Sequence, residues 1–118
     1  MPYIKHINQR EPPMARKIET EMNAAIASGR NWSKGNTAVS FEGDVAKVRL
    51  HGNLIAEIGE GFITLWDAGW RTNTTKSRLN AILDANGIPG ECVFQKNYQW
   101  FVNQAGGAIP FFSGMRLN

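Results

Sequence analysis

Residues 39–65 read VSFEGDVAKVRLHGNLIAEIGEGFITL, and the fold follows from this stretch. Its apolar side chains recur at every second position within short runs, which is the period of a half-buried β-strand. The breaks at 42–44, 52–53 and 59–61 are short enough to be hairpin turns. The stretch therefore predicts an antiparallel meander of three or four strands. The alternating apolar pairs are Val39/Phe41, Val48/Leu50, Leu54/Ala56/Ile58 and Ile63/Leu65.

One helix is predicted on each side of the meander. The first has Pro13 at its first helical position and Gly29 as its C-terminal cap. The second starts within residues 72–75 and stops at Asn86 and Gly87. Residues 29–37, between the first helix and the meander, are rich in turn formers and predict a loop. The apolar positions at helical spacing are Met14, Ile18, Met22, Ala25 and Ile26 in the first helix, and Leu79, Ile82 and Leu83 in the second.

The two ends of the chain complete a single α+β domain over residues 1–118. Residues 1–12 predict an extended lead-in, and residues 91–103 predict a further β-hairpin around Lys96 and Asn97. Residues 104–118 contain three glycines and a proline, so we expect an irregular tail or an oligomer arm there. Because exposed phenylalanines are unfavourable in a monomer, Phe111 and Phe112 should pack on the domain or on a second copy.

Length and composition limit the class of protein. A chain of 118 residues with 42% hydrophobic side chains can fill one core without cross-links. Cys92 is the only cysteine, and His6 and His51 are far apart, so neither an internal disulfide nor a zinc framework is expected. No window reaches the roughly 20 apolar residues of a membrane span, and the first residues do not resemble a signal peptide. We therefore expect a cytoplasmic protein without a membrane partner.

The positive charge is concentrated in one part of the chain. The formal net charge is +3, and the sequence pI is about 9.3. Residues 1–34 hold six basic and three acidic residues, whereas residues 35–118 hold seven of each. The excess therefore lies in the first third, and the body of the domain does not have the bulk charge of a polyanion-binding surface.

The segment 69–80, GWRTNTTKSRLN, is the best candidate for a binding site. No acidic residue occurs between Ala68 and Leu83, although acidic side chains are favoured at a helix start. Free amides, hydroxyls and cations at one helix start would bind phosphate or another anion. An ordinary N-cap with cations directed to water remains the alternative. The hydroxyl donors are Thr72, Thr74 and Thr75, and the cations are Arg71, Lys76 and Arg78.

Aromatic side chains could complete this site. Nine of the twelve aromatic residues lie beyond residue 60, and most of them should belong to the core. Trp100 is adjacent to Phe101, so one of the two must face away from the other in a strand. Trp70 or Trp100 near the cations would offer a flat surface on which a base can stack.

Catalytic motifs are poorly represented. The chain has no phosphate-binding GxxxxGK[ST] loop, no GxGxxG fingerprint and no carboxylate pair at acid/base spacing. Cys92 is best interpreted as a small buried hydrophobic residue. His51 either makes a hydrogen bond at a strand end or contacts a ligand. We therefore expect a binding protein with no catalytic residues, no metal and no cofactor.

Two runs, VRLHGNLIA at 48–56 and GWRTNTTKSRLN at 69–80, resemble a pattern in small bacteriophage proteins. Some phage proteins of this size are anti-defence sponges that capture nucleotide signals, among them the anti-Thoeris family, which captures a cyclic ADP-ribose variant. That resemblance implies a small, oligomeric, non-catalytic protein that binds its ligand through arginine, asparagine and aromatic side chains. It nominates Arg71, Phe94, Asn103 and Arg116, the last reaching from a second protomer.

The sequence thus favours a non-enzymatic phage protein that binds a phosphorylated, nucleotide-like small molecule and sequesters an immune signal as a homo-oligomer. Two alternatives remain open. A nucleic-acid-binding protein would use the basic first helix and an exposed sheet. A protein inhibitor or virion accessory factor would dock through the first helix or the apolar tail.

Overall fold

Residues 13–117 are described by a computed structural model, and they form an α+β fold with more strands than predicted. The helices are α1 (Pro13–Ser28) and α2 (Asn73–Asn86). The strands are β1 (Trp32–Lys34), β2 (Thr37–Glu42), β3 (Val45–Leu50), β4 (Asn53–Gly59), β5 (Phe62–Leu65), β6 (Cys92–Lys96), β7 (Gln99–Gln104), β8 (Gly107–Pro110) and β9 (Met115–Leu117). The predicted lead-in, residues 1–12, lies outside this range.

Nine antiparallel strands make two sheets in the described chain. The larger sheet has the order β1-β2-β3-β4-β5-β9, and the smaller has the order β6-β7-β8. The predicted meander, β2 to β5, forms the centre of the larger sheet. A row of cross-strand partners, Val39, Val48, Ala56 and Leu65, is buried on its inner face. The adjacent row, with Lys47 bonded to Glu57 at 3.2 Å, lies on the opposite, polar face.

The expected alternation through Leu54, Ala56 and Ile58 is interrupted by a β-bulge. Val48 pairs with Ala56 but Arg49 pairs with Leu54, so Ile55 is an extra residue on β4. Ile55 and Ala56 are therefore both fully buried, and Leu54 lies beside Arg49 on the polar face. A bulge inserts one residue into the period of two, which simple alternation does not foresee.

Three short strands correct the predictions of loop and tail. Residues 29–37 contain β1, and the supposedly irregular residues 104–118 contain β8 and β9. Each of the three lies at an edge of a sheet and has a single neighbour. Of the two tail phenylalanines, Phe111 is buried against the domain, and Phe112 is 56% exposed.

Both predicted helices are confirmed, and they pack on the inner face of the large sheet. Gly29 ends α1 with a φ of +69°, a conformation that glycine adopts without a Cβ clash. Met14 lies outside the residues whose side chains are described. No helix within residues 13–117 is long and apolar enough to cross a membrane. The buried helical side chains include Ile18, Met22, Ala25 and Ile26 of α1 and Leu79, Ile82 and Leu83 of α2.

The small sheet contains the predicted hairpin, and α2 closes its edge. Asn80 of α2 donates from Nδ2 to the Val93 carbonyl at 2.9 Å and accepts from the Val93 amide at 2.7 Å. The side-chain amide thus satisfies both backbone groups that a further strand would otherwise bond. This contact fixes α2 between the two sheets and determines where its N-terminus lies.

Candidate binding cleft

A cleft of about 410 Å³ lies between the β3–β4 turn and the start of α2. Two segments that are about 20 residues apart in the sequence form its walls. The described lining consists of Leu50, His51, Asn53, Ala68, Trp70, Thr72, Thr74 and Thr75. Both runs that carry the phage resemblance therefore contribute to one cleft. Four of the predicted site residues, Trp70, Thr72, Thr74 and Thr75, are brought together in it.

The start of α2 has the geometry of a capped helix. Thr72 has extended backbone angles, and its hydroxyl accepts from the Thr75 amide at 3.1 Å. The hydroxyl groups of Thr72 and Thr75 are also 3.0 Å apart, and Thr75 is buried. The amides of Asn73 and Thr74, in the same first turn, have no acceptor within the helix. With no acidic residue in that turn, the positive end of the helix dipole faces the cleft.

Two tight turns flank the cleft. His51 and Gly52 have φ values of 52° and 81° and join β3 to β4. Ala68 and Gly69, with φ values of 61° and 87°, lead from β5 towards Trp70. Trp70 is 67% exposed, so a large part of its indole ring is available to a ligand.

Arg71 lies beside the cleft but belongs to a different cluster. Its Nε donates to Asp67 Oδ2 at 3.1 Å, and its Nη2 donates to the Phe111 carbonyl at 3.2 Å. Its guanidinium carbon is 5.8 Å from the Trp100 ring centroid and 5.4 Å from the Phe111 centroid. The Asp67 amide donates to Ser113 Oγ at 3.0 Å. Arg71 and Asp67 therefore fasten the loop before α2 to the segment between β8 and β9.

The pKa of Asp67 reflects this cluster. Partial burial alone would raise the pKa, but hydrogen bonds from the Gly69 amide, Arg71 and Ser113 outweigh it. The pKa therefore lies below its ordinary value of 3.8. Since the folded state binds the proton less tightly than the unfolded state, the ionised carboxylate stabilises the fold.

Asp67 should make the stability of the protein fall in acid. Its contribution is present above the ordinary value of 3.8, declines below it, and is lost as the pH passes the lower, folded value. We expect Asp67→Asn to remove this part of the pH dependence. Urea unfolding of both proteins between neutral pH and pH 3 measures it as a difference curve, in which the other carboxylates cancel. An unchanged difference between the two proteins across that range would contradict the assignment.

Arg78 and Trp100 are buried, so neither presents a surface to the cleft. Arg78 donates from Nη1 to Glu19 Oε2 at 2.7 Å and from Nε to Thr37 Oγ1 at 3.0 Å. Its side chain is 4% exposed. Trp100 is 2% exposed and meets Phe111 edge to face, with ring centroids 5.4 Å apart. These two predicted site residues link the elements that hold the cleft in place.

The remaining predicted residues are distributed over other surfaces. Lys76 Nζ lies 3.4 Å from Gln95 Oε1 of β6. Phe94 stacks on Phe101 across the small sheet, with centroids 5.6 Å apart. Asn103 donates to the Gly90 carbonyl at 3.1 Å, and Arg116 of β9 lies over the ring of Phe62 of β5. None of the four lines the cleft in the described structure.

The opposite wall contains His51, for which the sequence left open a strand-end hydrogen bond or a ligand contact, and Asn53, which the sequence did not single out. Both belong to the LHGN run of the phage resemblance, which is the one signal in the sequence that links them to residues 69–80. The described residues include no group of three or more His, Cys, Asp or Glu side chains that could hold a metal ion. The polar groups that the cleft lining offers to a ligand are hydroxyls, amides, an imidazole and an indole.

Comparison with known proteins places the chain in a family. A family model described as Kyanoviridae Gp96 protein matches residues 15–118. No curated protein and no solved structure matches the chain. The family match includes both walls of the cleft and every strand and helix apart from the first two residues of α1. The chain therefore belongs to the Kyanoviridae Gp96 protein family, a family of small phage proteins.

Proposed function

We propose that this phage protein binds a phosphorylated, nucleotide-like small molecule in the cleft and acts by sequestering it. The observation that carries the proposal is the cleft itself, where an exposed indole, two polar turn residues and a helix start face one space. Its volume of about 410 Å³ lies within the range of small-molecule sites in proteins.

The helix start supplies the side of the cleft that suits a phosphate. The amides of Asn73 and Thr74 lack acceptors within the helix, and the Thr74 side chain lines the cleft. Residues 69–83 contain no carboxylate that would repel an anion. Lys76, next to Thr75 in the chain, adds positive charge at the same end of the helix. A phosphate group in this position is stabilised by hydrogen bonds and by the helix dipole together.

Trp70 supplies the side that suits a ring. Its indole is exposed and lies at the edge of a mostly apolar cavity that also includes Leu50 and Ala68. Stacking a base on such a ring is worth about 1–3 kcal/mol. We place the base of the ligand against Trp70 and its phosphate at Thr72–Thr75.

Trp70→Ala should weaken nucleotide binding by about tenfold or more, because the stacking surface is removed. Titration calorimetry of the full chain against cyclic nucleotides and ADP-ribose derivatives measures the dissociation constants. The melting temperature should stay nearly the same, since the ring is two thirds exposed in the free protein. Tyr98→Ala is the matched control, because Tyr98 is a 94% exposed aromatic side chain that does not line the cleft.

Two results would overturn the proposal: no binding of any compound in the panel, or equal affinities for the wild type and Trp70→Ala. Sequestration has its own test. A bound nucleotide released by heating the complex should have the mass of the compound that was added. A changed mass would show that the protein is an enzyme.

A further inference from the structure

His51 occupies a left-handed backbone conformation that few residues other than glycine adopt. It is the first residue of a two-residue turn, between the paired residues Leu50 and Asn53, and its φ is 52°. A turn with two positive φ values strongly prefers Asn-Gly or Gly-Gly, because most side chains clash there. Histidine tolerates this region better than most residues but is not the preferred choice. The requirements of the turn therefore do not explain the imidazole.

Contacts within the protein do not explain the imidazole either. The backbone amide of His51 donates to the Asn36 carbonyl at 2.8 Å, a bond that any residue could make. In the described structure, no hydrogen bond or ion pair involves the His51 ring, which is exposed at the cleft. Strained backbone conformations cluster at binding sites, and at His51 such a conformation places the ring beside the cleft.

The lining of the cleft gives the ring a specific task. The described lining contains no lysine or arginine, so His51 is its single basic side chain. The cleft brings this ring together with Thr72 and Thr74 of the helix start. An imidazole can donate a hydrogen bond to a phosphate oxygen, and it adds a positive charge when protonated.

We propose that His51 is a ligand-binding residue that donates a hydrogen bond to the phosphate of the bound molecule. This inference rests on the proposed function and extends it, because it assigns to the β3–β4 turn one of the two contacts with the phosphate. The strain at His51 is then the consequence of holding the ring at the cleft. His51→Gly should weaken binding while leaving the fold as stable or more stable.

The chain offers a closely matched control. Tyr98 ends a two-residue turn with Asn97 between β6 and β7, and its φ of 66° is also positive. Tyr98→Gly therefore relieves the same kind of strain at a turn outside the cleft. We expect no fall in melting temperature for either glycine variant, because glycine adopts positive φ without a Cβ clash. A fall for His51→Gly alone would show that the ring stabilises the fold, and it would contradict the inference.

The deciding experiment is titration of the full chain with adenosine monophosphate and with cyclic nucleotides. His51→Gly should bind about tenfold more weakly than the wild type, whereas Tyr98→Gly should bind with unchanged affinity. In NMR spectra of the wild type, the His51 ring signals should shift during the titration. Equal affinities for His51→Gly and the wild type, together with weak binding by Trp70→Ala, would overturn the role of His51 alone. Absence of binding by the wild type would overturn the proposed function as well.

Discussion

Arg78→Ala should lower the free energy of unfolding by about 3–5 kcal/mol, the usual effect of removing one partner from a buried ion pair. The guanidinium joins three elements, because it bonds Glu19 of α1, Thr37 of β2 and the Asn36 side chain before β2. Ser77 Oγ donates to the same Glu19 oxygen at 2.5 Å. The Glu19 side chain is only 17% exposed. Without Arg78, its carboxylate would stay charged and poorly solvated, with the Ser77 hydroxyl as a remaining donor.

Urea unfolding at neutral pH measures this loss. Lys96→Ala serves as the control, since Lys96 is an exposed lysine on the small sheet, and its removal should change stability by less than about 0.5 kcal/mol. Replacing both partners, as in Arg78→Met with Glu19→Leu, should recover much of the loss, because no charge is then left buried. A stable Arg78→Ala protein with lowered nucleotide affinity would instead support the sequence interpretation of Arg78 as a phosphate ligand.

The example of Arg78 shows where the sequence stops being informative. Counting charges at the start of α2 identified three cations but could not identify their partners. Glu19 is 59 residues away from Arg78 in the chain, and its carboxylate reaches it only because α1 packs against α2. Asp67, by contrast, is four residues from Arg71. Apolar periodicity predicts neither the Arg78–Glu19 contact nor the Arg71–Asp67 contact, whether the partner is distant or near. Both arginines therefore resembled ligand-binding groups.

The short strands were missed for a related reason. Local pattern predicts strands when alternation extends over several residues, as it does in β2 and β3. β9 has only three residues, and it forms because β5 offers an open edge. Its Leu117 pairs with Ile63, which is far away in the sequence. The hydrogen bonds that create such a strand come from a distant segment, whereas α2 is determined by its own cap and apolar spacing.

The candidate site could be predicted in part. The helix start was identified from its hydroxyls and its lack of acidic residues, and in the structure Thr72 caps it. The opposite wall, His51 and Asn53, came from another segment, and only packing places it there. The resemblance to phage proteins includes both segments, residues 48–56 and 69–80. It was therefore the one sequence signal that named the two walls of the cleft together.

Trp100→Ala should also destabilise the protein by about 3–5 kcal/mol, because truncating a buried tryptophan leaves a large cavity. Trp100 is the largest fully buried side chain among the described residues, and its ring contacts Phe111 and lies below Arg71. Its loss would weaken the packing of the small sheet against the segment between β8 and β9. Arg71 and Asp67 connect that segment to the loop before α2. Tyr98→Ala, at an exposed position two residues away, should have little effect.

Two measurements separate a core role of Trp100 from a ligand contact. Urea unfolding gives the stability, and calorimetry at a low temperature, where the variant remains folded, gives the affinity. Trp100→Phe keeps a ring in the core, so it should recover part of the stability. If Trp100 stacked on the ligand, Trp100→Ala would lose affinity at nearly wild-type stability, the result that we expect for Trp70→Ala. Because Trp100 is 2% exposed and Trp70 is 67% exposed, the two alanine variants should show opposite patterns in these measurements.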